Sequence, residues 1–272
     1  MPTRFEGGAA MNIFRREMRA GRKAFFFWMI GMLVLCFEVV TELSSYSSGG
    51  AMQELLAAFP RVVLAVMGIA GMDISAPAGY VTALFYYVLI CQAVYAVILG
   101  AGVVSRELVD RTHEFLFTKP RGRGRILAAK LGAAGAYLAL FSAMSAAFAY
   151  AAARTVDGGE RAAGVIPACA LAVFLIGLLF LALAAFLAAL VRKPEKGALS
   201  GNIAFLAAFV LGTMYGMLEH PGALRLFSPF NYFPSSELAA ARVDPRYALL
   251  VLALTALFLF GAFRRFARRD LV

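Results

Sequence analysis

Residues 106–130 read RELVDRTHEFLFTKPRGRGRILAAK, a charged, helix-compatible stretch set between two long apolar runs. On one side, residues 80–104 carry no formal charge over 25 positions; on the other, residues 131–153 carry none over 23. About 20 apolar residues suffice for a helix to cross the roughly 30 Å hydrocarbon core of a bilayer. The two runs therefore read as crossings. The stretch between them reads as a compact polar helix at the membrane surface, placed where something in the water can push on it.

The rest of the chain agrees. Its 272 residues are 62% hydrophobic and only 15% charged, with mean hydropathy +0.78; a soluble domain carries about 25% charged residues. No hydrophilic stretch is long enough for a separate soluble domain, so residues 1–272 read as one all-α integral membrane domain. Six spans can be drawn, at 24–43, 80–104, 126–153, 164–191, 197–218 and 247–263, the last at the short limit. No cleavable signal is expected, because the basic start is long and polar and no small-residue cleavage site follows the first run.

Lys and Arg set the orientation. An even number of spans puts both termini on one side, and 20 of the 26 basic residues fall on that side. By the positive-inside rule the N and C termini are cytoplasmic. The same distribution accounts for the net charge of +10 without any nucleic-acid partner. Met11, Phe14 and Met18 share one helical face against Arg15, Arg16, Arg19 and Arg22, so residues 10–23 suit a helix lying along the inner interface; an ordinary basic flank is the plainer alternative.

On the outer side, residues 51–72 are apolar but interrupted by Pro60 and Arg61, which suits a re-entrant or interfacial helix rather than a span. Residues 219–246 hold Pro221, Pro229, Pro234 and Pro245 with Phe227, Phe230, Tyr232 and Phe233, and read as an ordered cap at headgroup depth. Along the fifth span, Gly197, Gly201, Ala204, Ala208, Gly212 and Gly216 form a small-residue face. Such a face admits a close helix, either a neighbouring span or the seam of a dimer.

Within the polar stretch, Leu108, Thr112, Phe115 and Leu116 share a helical face while Glu107, Asp110, Arg111 and Glu114 occupy the remainder. Pro120, Gly122 and Gly124 then break the helix. A short amphipathic helix of this kind suits docking into a groove on a soluble partner.

Residues 110–123, DRTHEFLFTKPRGR, followed by Lys130, resemble the cytoplasmic signature of the ABC-2 type permeases, the membrane subunits of ATP-binding-cassette exporters. Asp110, Arg111, Thr112, Glu114, Phe115, Leu116, Lys119, Pro120, Arg123 and Lys130 fit it. Phe117 and the pair Arg121–Gly122 depart from it. The basic amphipathic start, the long outer segment after the first span, LFSPFNYF at 226–233 and FARRDL at 266–271 extend the likeness over nearly the whole chain. The resemblance implies an assembly of two permease subunits, alike or different, with two ATPase subunits in a prokaryotic plasma membrane. It also implies that the element from Arg106 and Glu107 to Thr118 is a coupling helix seated on the ATPase. ATP and magnesium would be held by that partner, and no cofactor by this chain.

The chain has no G-x-x-x-x-G-K-[ST] loop with which to grip phosphates itself. Cys36, Cys91 and Cys169 lie within apolar runs and lack metal or redox spacing, and His113 and His220 fall on opposite sides of the membrane. An intramembrane enzyme would need a nucleophile–base or carboxylate pair that the spans do not offer. The alternative transporter class, an ion- or proton-coupled secondary transporter, needs ionisable groups near the midplane; Glu38 is the single candidate. Glu38 and Asn202 are thus candidate pathway residues. Pairing of Glu38 with Arg61 or Arg225, and an interhelical hydrogen bond from Asn202, are the plainer readings.

Overall fold

A computed structural model describes residues 4–41, 58–69, 72–74, 76–109, 123–155, 159–191, 193, 196–218 and 222–267. Of these, 88% are helical and none lies in a strand. Among the described residues six helices are long and apolar enough to cross a membrane. They are Arg4–Thr41, Pro77–Val109, Arg123–Ala153, Ile166–Leu190, Lys196–Met217 and Pro245–Ala267, here called spans 1 to 6. In a bilayer only closed hydrogen-bonding structures are tolerated, and a helix satisfies every backbone group within itself.

Prolines mark where helices begin. Pro77 and Pro245 each open a span, Pro60 and Pro234 precede short connecting helices (Arg61–Val66 and Ser235–Ala239), and Pro229 opens a 3-10 turn. A first-turn proline sacrifices an N–H that has no helical partner anyway. The helix Arg61–Val66 therefore starts at the break that separated two apolar runs in the sequence. It ends on Gly68, whose φ of 73° allows the Gly68 and Ile69 amides to donate to the Ala65 and Leu64 carbonyls. This is the doubly bonded C-terminal cap that favours glycine. A β-carbon at Gly68 would also fall 2.2 Å from the Tyr86 ring.

The ends of the spans differ from those drawn on the sequence, most in spans 1, 2 (Pro77–Val109 against 80–104) and 6. Span 1 runs unbroken from Arg4 to Thr41, 38 residues, with no separate interfacial helix at 10–23. Nothing there stops a helix: Arg22 and Lys23 change the polarity, but no proline interrupts the backbone ladder. Span 6 extends from a 17-residue apolar core to Pro245–Ala267, because Arg264 and Arg265 belong to its last turn, where cations suit the helix C-terminus.

Spans 2, 3 and 4 form the centre. They are buried over 67%, 56% and 61% of their most apolar stretches, against 22%, 17% and 17% for spans 1, 5 and 6. Span 1 packs on span 3, span 5 lies across spans 2 and 4, and span 6 lies on span 4. The central seam between spans 2 and 4 is close because its residues are small. Ala184, Ala185 and Ala188 are fully buried, and a β-carbon at Gly100 would stand 2.3 Å from the Leu181 carbonyl oxygen. Small residues give apolar helices close backbone contact, the main source of attraction where lipid is as apolar as the partner.

Span 1 joins through a single face. Phe25, Met29, Met32 and Cys36 are buried, at the i, i+4, i+7 spacing of one helical stripe. Phe25 packs 5.1 Å from the Tyr137 ring and Trp28 5.7 Å from Tyr95. The opposite face (Phe26, Phe27, Ile30, Val34) is exposed, as suits contact with lipid.

Candidate functional site

The residues read from the sequence as the partner-docking element divide between described and undescribed parts of the chain. Span 2 carries the backbone of Arg106 and Glu107 and continues to Val109; span 3 opens at Arg123. Asp110, Arg111, Thr112, Glu114, Phe115, Leu116, Lys119 and Pro120 lie outside the described residues. What the structure places is the root of this connector, the C-terminal end of span 2 and the N-terminal end of span 3.

That root contains a buried charge. Lys130, two turns into span 3, is 4% exposed, and its Nζ donates to the Val103 carbonyl oxygen on span 2 at 2.9 Å. Beside it a cavity of about 90 Å³ opens between spans 1, 2 and 3, lined by Glu17, Trp28, Tyr95, Lys130 and Tyr137 among others. The Tyr137 hydroxyl donates to the Met18 carbonyl, and Glu17 pairs with Arg16 at 3.0 Å.

Deeper in the bundle, Gln92 of span 2 is fully buried. Its Nε2 donates to the Val173 carbonyl of span 4 at 3.3 Å, while Ser142 of span 3 donates to its Oε1 at 2.8 Å. One amide thus ties the three central spans together. Gly177 makes room for it: a β-carbon there would lie 2.5 Å from Gln92 Nε2. Cys36 adds a weak bond from span 1 to the Ser145 carbonyl at 3.7 Å.

The cap between spans 5 and 6 is organised by Arg225. Its Nε donates to the Asn231 carbonyl at 3.1 Å, its Nη2 to the Tyr232 carbonyl at 3.0 Å and to Glu237 Oε1 at 3.2 Å. The guanidinium also stands 4.0 Å from the centre of the Tyr247 ring. A planar fork with five donors can satisfy several carbonyls and a carboxylate together, which a lysine cannot. Tyr232 donates to the Leu226 carbonyl at 2.6 Å and stacks on Tyr247 at 5.5 Å. Burial first, and Tyr247 second, push its phenol above the usual range. Asn231 Nδ2 fastens the cap to span 5 through the Gly212 carbonyl at 3.0 Å. Beneath the cap a cavity of about 120 Å³ is lined by Tyr86, Tyr215, Asn231, Ser235 and Ser236 among others.

The remaining sequence candidates are also placed. The small face of span 5 packs within the chain. β-Carbons at Gly197, Gly201, Gly212 and Gly216 would meet Ser105, Val97, Phe230 and Ala65 at 2.3, 2.9, 3.2 and 3.1 Å, and Ala208 is buried. Glu38 and Asn202 are both exposed, on spans 1 and 5 respectively, and the described contacts do not bring them together. Among the described residues no cluster of three His, Cys, Asp or Glu side chains could hold a metal.

Sequence reasoning passed over Gln92, Ser142 and Arg225. The first two were visible as lone polar residues inside apolar runs; Arg225 had been read as a charge that helps fix orientation and as a pairing partner for Glu38, not as the centre of a cap.

Two comparisons complete the description. A family model described as "ABC-2 family transporter protein" matches residues 11–271. No curated protein matches the chain.

Proposed function

The chain belongs to the ABC-2 family of transporter proteins and is a multi-pass membrane permease component of an ABC transporter, and from that premise we propose that it is the pathway-forming subunit of an exporter driven by a separate ATPase. In this reading two permease subunits, alike or different, sit in a prokaryotic plasma membrane with cytoplasmic termini, and two ATPases bind ATP and magnesium beneath them. The residues proposed to meet the ATPase are Arg106, Glu107, Asp110, Arg111, Thr112, Glu114, Phe115, Leu116, Lys119, Pro120 and Arg123.

One observation carries the reading. The charged connector has at its two ends the helices of spans 2 and 3, which pack on each other and on span 4 at the centre of the bundle. Displacement of the connector therefore acts on the core rather than on a peripheral helix. ATP binding draws the ATPases together, the connector moves with them, and spans 2 and 3 shift the pathway between inward- and outward-facing states. A docked helix transmits work only if its contacts differ between those states.

The test uses the full chain with its ATPase in liposomes. Spin labels go on Cys introduced at Tyr150 and Leu249, exposed residues of spans 3 and 6, with Cys36, Cys91 and Cys169 replaced by alanine. ATP is expected to shift the distance between the labels. Glu114→Ala and Phe115→Ala are expected to keep hydrolysis and lose the shift. An ATP-dependent shift of wild-type size in both variants refutes the assignment.

A further inference from the structure

We propose that Lys130 is a positioning residue for force transmission, a clamp that fixes span 3 to span 2 at the root of the connector so that the two move as one body. The inference rests on the coupling role proposed for the connector and adds a residue outside the docking surface.

A lysine near the inner end of a span ordinarily extends its ammonium towards water. Lys130 does not: it is 4% exposed and its Nζ lies 2.9 Å from the Val103 carbonyl oxygen of the neighbouring span. Burying an ammonium at such depth is costly, so a buried intramembrane lysine signals a specific task. Its position gives the task. Val103 stands six residues before the end of span 2 at Val109, and Lys130 seven residues after the start of span 3 at Arg123. The bond closes the connector into a loop at its base. A push on the connector then reaches both helices together instead of prying them apart.

Close packing is interrupted here. The cavity of about 90 Å³ lies against Lys130 and reaches Gly102, Val103 and Ala134 of the same two spans, space for about three waters at roughly 30 Å³ each. Where the seam is loose, a directed, charge-assisted bond sets the register of the two helices. The cavity also offers polar neighbours to the remaining ammonium donors, Glu17 and Tyr137 being in its wall.

The test repeats the labelled, reconstituted complex with Lys130→Met, which keeps the apolar stem, and Lys130→Arg, which keeps charge and donors. Lys130→Met is expected to co-purify with the ATPase, to hydrolyse ATP and to remain folded, since it removes the buried charge and its desolvation cost while keeping the apolar stem. Its ATP-dependent distance shift is expected to be lost, the shifted population falling about tenfold, as for one hydrogen bond to a charged group. Lys130→Arg is expected to restore most of it. A wild-type shift in Lys130→Met overturns the clamp. So does a variant that is merely unstable, with Lys130→Gln folding and shifting like wild type. Phe115→Ala in the same assay separates the two claims: if it abolishes the shift while Lys130→Met does not, only the clamp fails.

Discussion

Replacing Gly100 by alanine tests the central architecture directly. A β-carbon at that position would stand 2.3 Å from the Leu181 carbonyl oxygen and 3.0 Å from Ala184 Cβ, where ordinary contacts begin at 3.4 Å. Both obstacles are backbone or backbone-bound, so no side chain can swing aside. Spans 2 and 4 must separate by about 1 Å, and overpacking of this kind costs about 1–3 kcal/mol, here near the upper end. Alanine recovers at most about 1 kcal/mol through its better helix propensity. The net loss is therefore about 1–2 kcal/mol, or roughly 2–8 °C in unfolding temperature for a chain of this size. Gly135→Ala is the control, because nothing lies within 4 Å of its β-carbon. There only the propensity gain of up to about 1 kcal/mol remains, and the transition should rise by roughly 2–4 °C. Both can be read in detergent with a thiol-reactive dye, since Cys36 and Cys169 are buried in the folded chain and react as it opens. Gly100→Ala unfolding at or above wild type would refute the packing described for spans 2 and 4, and Gly135→Ala several degrees below would refute the open space at that position of span 3.

Three further outcomes follow from the polar contacts and from one strained residue. Ser142→Ala leaves the Gln92 carbonyl oxygen without its 2.8 Å donor; an interhelical bond in a bilayer is worth about 0.6 kcal/mol and at most about 1.7, so a drop of a few degrees is expected in the same assay. Arg225→Ala should cost about 2–3 kcal/mol by stripping the Asn231 and Tyr232 carbonyls of their donor, and Arg225→Lys should recover less than half because it lacks the fork; full recovery by lysine would contradict the bonding described for the cap. Ala241 has φ 54° in a helix cap whose Ala241 and Arg242 amides donate to the Leu238 and Glu237 carbonyls. Left-handed backbone costs an L-residue about 1–2 kcal/mol while glycine adds about 0.5–1 of chain entropy, so Ala241→Gly should raise stability by about 0.5–1 kcal/mol. A lower transition would count against that cap.

Much of this fold could be read before any coordinates, because crossing a bilayer imposes a length and a composition that leave a plain trace. All six spans were legible for that reason. The division into three central and three peripheral helices was not: Ile203 and Leu206 of span 5 are exposed while Ile176 and Leu179 of span 4 are buried, yet all are equally apolar, and lipid and protein attract them alike. The continuity of span 1 was hidden because Arg22 and Lys23 suggested a boundary, whereas backbone hydrogen bonds are indifferent to side-chain polarity. Lys130 was visible as part of a signature, but its burial against Val103 depends on how two helices cross. The Arg225 cage is equally invisible in one dimension, since its partners lie 6, 7, 12 and 22 positions along the chain.

The uninterrupted first helix has a mechanical consequence. Its 38 residues make a rod about 57 Å long, nearly twice the hydrocarbon thickness, with no proline at which to bend. Pivoting by 10° about its N-terminal end, such a rod would sweep its far tip through about 10 Å. Small rotations at the N-terminal end are thereby geared up into large lateral travel at the other, carrying Glu38 along near the tip.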